Sequence, residues 1–161
     1  MTHLELSEVL LSRRQVLAGG GAAALLASLA GLAPLPAHAE PADAEAKLAE
    51  LTGGVTLQKG RISIEVPPYT EYGKQVRISI EVESPMTDAD RVKTIHVLAE
   101  RNTVPEVASY HFGPLAGQAR ISTRIRVATT QILLVAAEMA SGEIYLAKTR
   151  VKVARGGGGC G

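Results

Sequence analysis

Cysteine is almost absent from this chain. Of 161 residues only Cys160 carries a thiol, which excludes an internal disulfide framework and a Cys-rich metal site. Tryptophan is missing, and one Phe with four Tyr is too little for the platform on which single-stranded nucleic acid or a sugar ring stacks. Charge of one sign is missing too: Lys+Arg 17 against Asp+Glu 16 leaves +1, no excess to draw nucleic acid or an anionic membrane surface. Paired chemistry is equally scarce. After the N-terminal segment the histidines are His96 and His111, each alone in a strand-like pattern, with no His-x-His or Cys-x-x-Cys. We assign neither a role and expect neither metal nor cofactor. We read no catalytic pattern of a Ser or Cys with its base, and Gly53-Gly54 lacks the Gly-Lys-Ser/Thr that would cradle a phosphate. The body reads as a scaffold rather than an active site.

What is present begins with a leader. Residues 1–39 run from a polar start through Arg13-Arg14 and an apolar stretch to Ala37-His38-Ala39, a small-x-small cleavage pattern. Glycines 19–21 and 31 with Pro34 and Pro36 interrupt the stretch, which disfavours a permanent membrane anchor. Ser12-Arg13-Arg14-Gln15-Val16-Leu17 resembles a twin-arginine export signal, with Val16 where Phe is commoner; a Sec signal with two arginines is the alternative. We expect a cleaved signal peptide, a periplasmic protein with no membrane insertion after cleavage, and a chain starting at Glu40 that is the size of one domain. Twin-arginine export moves folded cargo, and with no cofactor motif in the body it suggests a partner that travels along.

Residues 40–54 read as a linker and one short helix over 42–51, rich in Ala, Leu, Glu and Lys, with Asp43 as N-cap and Gly53-Gly54 as stop. Periodicity then changes to two. Ile62-Ile64-Val66 alternate with Arg61-Ser63-Glu65, and Val76-Ile78-Ile80-Val82 with Arg77-Ser79-Glu81-Glu83. Turns are expected at 67–69 and 84–88, and strands at 91–99, 106–112, 119–127, 131–139 and 143–153. Seven short strands with no helical run between them predict an all-β, antiparallel β-sandwich over residues 55–153. The run Ile132-Leu133-Leu134-Val135-Ala136-Ala137 is apolar on both faces, so it is a central strand covered within the chain or a strand covered by another protein.

Residues 154–161 form a Gly-rich C-terminal segment: Gly156, Gly157, Gly158 and Gly159 precede Cys160, and Gly161 follows. Without side chains to pack, it is expected to be a flexible, swinging arm. Six residues from Gly156 reach about 20 Å at roughly 3.3–3.6 Å each. A narrow channel that rejects bulkier residues admits such a backbone, so the arm suits presentation of Cys160 to other proteins. The thiol has no helix N-terminus or neighbouring base to lower its pKa, so its activation falls to whatever protein receives it. Two other readings remain. In one the cysteine is an incidental tail feature or a cross-link in a structural or adhesion domain; in the other it serves a thiol enzyme, which would need a paired or low-pKa cysteine.

These residues carry a family resemblance. The leader, short helix, sandwich and Gly-rich end with one cysteine resemble SoxY, the sulfur carrier of periplasmic thiosulfate oxidation. So do Ser84-Pro85-Met86-Thr87, Val92-Lys93-Thr94-Ile95-His96-Val97, Asn102-Thr103-Val104-Pro105-Glu106-Val107-Ala108-Ser109-Tyr110-His111-Phe112, Ser122-Thr123-Arg124-Ile125-Arg126 and Ala137-Glu138-Met139. Gly158-Gly159-Cys160-Gly161 matches the first four positions of the family's Gly-Gly-Cys-Gly-Gly tail; the last Gly is absent and two extra glycines precede. The resemblance implies an immunoglobulin-like sandwich paired as a heterodimer with a SoxZ-like subunit, and sulfur intermediates covalently attached at Cys160. It implies as partners a c-type cytochrome that conjugates thiosulfate, a thiosulfohydrolase that releases sulfate and, in some pathways, a sulfane dehydrogenase. The carrier itself is then no enzyme.

Overall fold

The structure, a computed structural model, describes residues 40–154. The chain enters α1 (Pro41–Thr52), continues through β1 (Leu57–Gln58), β2 (Ile62–Glu65), β3 (Tyr69–Thr70) and β4 (Val76–Val82), and then β5 (Val92–Ala99) and β6 (Glu106–His111). It finishes with β7 (Ala119–Ile125), β8 (Gln131–Met139) and β9 (Ile144–Val153). The helix starts earlier than the expected Asp43 cap. Glu40 takes the N-cap position and Pro41 the first turn, where a missing N–H costs nothing. Asp43 sits three residues in, and its Oδ2 accepts the Glu40 N–H at 2.8 Å. The stop is the expected one: Gly53 adopts φ 63° and Gly54 N–H donates to the Ala49 carbonyl at 3.0 Å.

Two sheets form. β2-β4-β7 make a three-stranded antiparallel sheet, and β9-β8-β5-β6 make the antiparallel part of a six-stranded sheet whose far edge is completed by β1 and β3. Both short strands run parallel to β9, with Leu57 opposite Ile144 and Tyr69 opposite Lys152. Pro67-Pro68 does end β2, but Tyr69 is already paired rather than part of the turn. In immunoglobulin terms the small sheet is A-B-E and the large one C′-C-F-G with the split first strand added beside G, so the fold is an all-β, immunoglobulin-like sandwich.

The core follows from alternation. Val76, Ile78, Ile80 and Val82 of β4 point inward while Arg77 and Glu81 stay exposed. They meet Ile95 and Val97 of β5 and Leu133, Val135, Ala137 and Met139 of β8. The opposite face of β8 is covered within the chain, which settles the alternative left open by its two-sided pattern. Leu134 and Ala136 pack with Leu98 and Ile144 beneath Ala44 and Leu48 of α1, with Leu51, Leu57 and Leu146 at the margin. A twelve-residue helix is marginal alone, and burying a leucine contributes about 1.5–3 kcal/mol. This seat is therefore what keeps α1 folded.

Candidate functional site

The residues that sequence reasoning singled out lie outside the described residues: Arg13 and Arg14 of the leader, Gly156, Gly157, Gly158, Gly159 and Gly161 of the arm, and Cys160 itself. What the structure defines is the platform from which residues 155–161 depart. The end of β9 is held on both sides. Lys152 N–H donates to the Pro68 carbonyl and Ala154 N–H to the Thr70 carbonyl, each at 3.0 Å. Val153 N–H donates to Thr130 Oγ1 at 3.0 Å, and that hydroxyl donates to the Val153 carbonyl at 3.3 Å. The chain's direction at Ala154 is thereby fixed by the sheet.

A cleft of about 660 Å³ opens beside this exit, with Val153 and Ala154 in its wall. Lys74, Arg101, Arg126 and Arg150 line it against one carboxylate, Glu100. None of the four cations takes part in an ion pair found among the described residues, which instead join Lys47 to Glu50 and Glu106, Arg61 to Asp90, Lys93 to Glu138, Arg120 to Glu81 and Lys148 to Glu45. A concave surface with one dominant sign of charge concentrates anions.

Buried polar groups hold the cleft's loops in place. Gln131, 3% exposed, accepts the Arg101 N–H through Oε1 at 2.6 Å and donates from Nε2 to Asn102 Oδ1 at 2.9 Å. Asn102 donates to the Arg126 carbonyl at 2.8 Å and accepts the Ala128 N–H at 3.0 Å. One amide pair thus ties the segments bearing Arg101 and Arg126 together. Gly73 completes the wall: its carbonyl accepts the Val127 N–H at 2.7 Å, and a Cβ at Gly73 would lie 2.2 Å from the Val127 carbonyl oxygen. Only glycine permits that approach.

The two histidines, read from sequence as isolated, are brought together on the outer face of the large sheet. Thr94 of β5 faces His111 of β6 in the register, and His96 faces Ser109. Ser109 Oγ donates to Glu106 Oε1 at 2.7 Å and so accepts from His96 Nδ1 at 2.7 Å; Glu106 in turn lies 3.7 Å from Lys47 of α1. The serine spends its proton on a carboxylate, so this chain braces helix and sheet and leaves no activated nucleophile. Burial pushes the His96 pKa below the ordinary imidazole value, against the opposing pull of Glu106 and Glu138 and with a small further push from His111.

Comparison with known proteins decides the family. The model of the family described as "Sulfur oxidation protein SoxY" matches residues 48–160. The chain belongs to the SoxY family. No curated protein matches it. Among solved structures, a superoxide reductase (neelaredoxin) from Ignicoccus hospitalis is similar with TM-score 0.53 at 13% identity, covering 73% of this chain and 96% of that one. A putative superoxide reductase from Thermotoga maritima gives 0.54 at 14% identity, covering 62% and 95%. At such identities the likeness is one of sandwich architecture, and function is argued from sites. SoxY membership places the chain in sulfur oxidation, and the basic cleft beside the exit of β9 is the feature of the platform that sequence reading missed. Its four cations come from positions 74, 101, 126 and 150, a spacing that no linear motif contains.

Proposed function

We propose that this SoxY-family protein is a covalent carrier of sulfur intermediates in thiosulfate oxidation, with Cys160 as the attachment point and residues 154–161 as the arm that presents it. The observation that carries the reading is the reach of the family match to residue 160, which takes in the one cysteine of the chain. In the carrier chemistry, the Cys160 thiolate and the sulfane sulfur of thiosulfate form an S–S bond while two electrons pass to a c-type cytochrome. Water then cleaves the terminal S–S bond of the conjugate at a thiosulfohydrolase, releasing sulfate and two protons and leaving a persulfide on Cys160. A sulfane dehydrogenase, where one operates, oxidises that sulfur further. The carrier contributes no catalytic group: it keeps a small reactive species tethered at high effective concentration for successive active sites. The same reading includes a cleaved twin-arginine leader over residues 1–39, work in the periplasm, and a SoxZ-like partner subunit exported with it.

The test is the intact mass of the protein and of its C-terminal peptide, taken without reductant from cells oxidising thiosulfate. Additions fitting sulfane sulfur or thiosulfonate on Cys160, lost in Cys160→Ser together with thiosulfate oxidation, are expected. A bare thiol or a disulfide dimer alone, with oxidation intact in the variant, would replace the carrier with a cross-linked structural domain.

A further inference from the structure

We propose that the end of the sandwich where β9 finishes is a docking face for an acidic surface on a protein partner, centred on Arg77 and Arg124 of the small sheet. The proposal rests on the carrier reading for the partner's role, an enzyme that takes up Cys160, and adds the chemistry by which that enzyme's surface is met.

Charge is arranged unequally along the strands. The ends of β5, β7 and β9 and the starts of β4 and β8 lie together at the exit end. Lys74, Arg77, Arg101, Arg124, Arg126 and Arg150 stand there, all exposed, and no ion pair found among the described residues includes any of them. The carboxylates in the adjoining loops are Glu71 and Glu100. At the opposite end cations are matched with anions: Arg61 pairs with Asp90, Lys93 with Glu138 and Arg120 with Glu81.

The outer face of the small sheet shows the same division within two strands. Glu81 of β4 faces Arg120 of β7, and the two form an ion pair at 3.3 Å. Midway, Ser79 faces Ser122 and donates to it at 3.2 Å. At the exit end Arg77 faces Arg124, both exposed. Like charges set directly opposite one another weaken a sheet. A hollow of about 410 Å³ lined by Arg77, Ser122, Thr123 and Arg124 leaves room for carboxylate side chains, which guanidinium forks bind in pairs.

Arg126 follows Arg124 by two residues and joins Lys74, Arg101 and Arg150 at the cleft, so the cations run from the small sheet's outer face to the end of the large sheet. A small anion covers one part of that stretch, whereas a protein face meets all of it. Nucleic acid is disfavoured by a net charge of +1 and by the scarcity of aromatic side chains. Position names the occupant. Cys160 follows Ala154 by six residues, about 20 Å at full extension, so on the carrier reading each receiving enzyme brings its surface to this end. Complementary charge orients that approach and speeds encounter, and exposed ion pairs are weak enough singly to let the complex part again.

Two measurements test the docking face, on the protein purified from its host with whatever subunit accompanies it. The first adds a poly-glutamate peptide, as a stand-in acidic surface, to ¹⁵N-labelled protein carrying Cys160→Ser. Amide signals of Arg77, Arg101, Arg124 and Arg126 are expected to shift while those of Lys59 and Arg91, at the opposite end, stay in place. Inorganic sulfate at equal ionic strength should leave all of them in place. The second follows reduction of the c-type cytochrome of the carrier reading as thiosulfate is coupled to Cys160. R77Q/R124Q is expected to lower kcat/KM for the carrier about tenfold near 20 mM ionic strength with kcat unchanged, the difference fading at about 0.5 M salt. K59Q/R91Q removes equal charge from the opposite end and should leave kcat/KM as it is. The thermal midpoint of R77Q/R124Q should not fall, because a repulsive pair has gone, so a lost rate is not a lost fold.

Equal losses of kcat/KM in the two double variants, or no loss in either, overturn the proposal. Shifts as large with sulfate as with poly-glutamate also overturn it, because the face then serves a free anion. A cytochrome that never couples thiosulfate to Cys160 of the unmodified protein would sink the carrier reading instead, and the poly-glutamate titration then decides the docking face by itself.

Discussion

The two faces of β8 bury side chains of the same kind by different means. Leu133, Val135, Ala137 and Met139 look into the space between the sheets, where two strand layers supply partners along the whole strand. Leu134 and Ala136 look outward onto a small cluster roofed by α1, whose own buried positions are Ala44, Leu48 and Thr52. The inner face is closed by long-range ladders, the outer by one short helix tied through Gly53 and the Lys47–Glu106 contact. Equal hydrophobicity along a strand therefore does not mean equal stability on its two sides.

The sharpest way to break that comparison is one truncation on each side. Leu133→Ala should cost about 2–5 kcal/mol and lower the denaturation midpoint of the whole domain, because its cavity lies between layers that cannot close separately. Leu48→Ala should cost less, about 2–3 kcal/mol, and act locally. Hydrogen exchange is expected to quicken over α1 while amides of β4 and β8 keep their protection. Uniform loss of protection in both variants would mean that the two faces form one cooperative unit.

Smaller changes sharpen the outer face. Gly53→Ala forces a side chain into φ 63° at the helix stop and should cost about 1 kcal/mol, read as a drop in the thermal midpoint. His96 gives the mildest test. With its pKa lowered by burial in the fold, the unfolded chain binds more protons below the ordinary value of 6.5. Its contribution to stability is complete above that pH and is lost as pH falls through and below it. His96→Gln should flatten the decline in denaturation midpoint between about pH 7.5 and 5, and an unchanged slope would remove His96 as its source.

The inner face was legible because alternation is a two-residue signal: the Val76, Ile78, Ile80, Val82 series marks its strand and its buried side at once. The outer face was half legible. The apolar run at 132–137 shows that both sides of the strand are covered, but the cover, α1, lies some eighty residues away and only folding brings it there. β1 and β3 escaped because two residues carry no period; their pairing is imposed by β9. Asp43 was misplaced by a few residues because Pro41 starts the helix earlier than an acidic cap alone suggests. The basic cleft left no trace in sequence, since four cations from four separate segments meet only in three dimensions. The site residues of the arm, Cys160 foremost, were assigned by their chemistry and their resemblance to SoxY, and they lie beyond the described residues.

The clamping of β9 also limits how another protein can take hold of the thiol. Many enzymes grip an extended substrate segment by adding it as a strand to an exposed sheet edge. Next to the exit that handle is taken: β3 pairs with Lys152 and Val153 along one edge of β9, Thr130 holds Val153 from the other side, and the Ala154 N–H is already given to Thr70. On the carrier reading proposed above, an enzyme that receives Cys160 would grip residues 155–160, most of them glycine, rather than the end of the strand. Such an entrance would recognise peptide groups and the sandwich surface around the exit, with almost no side chains in between.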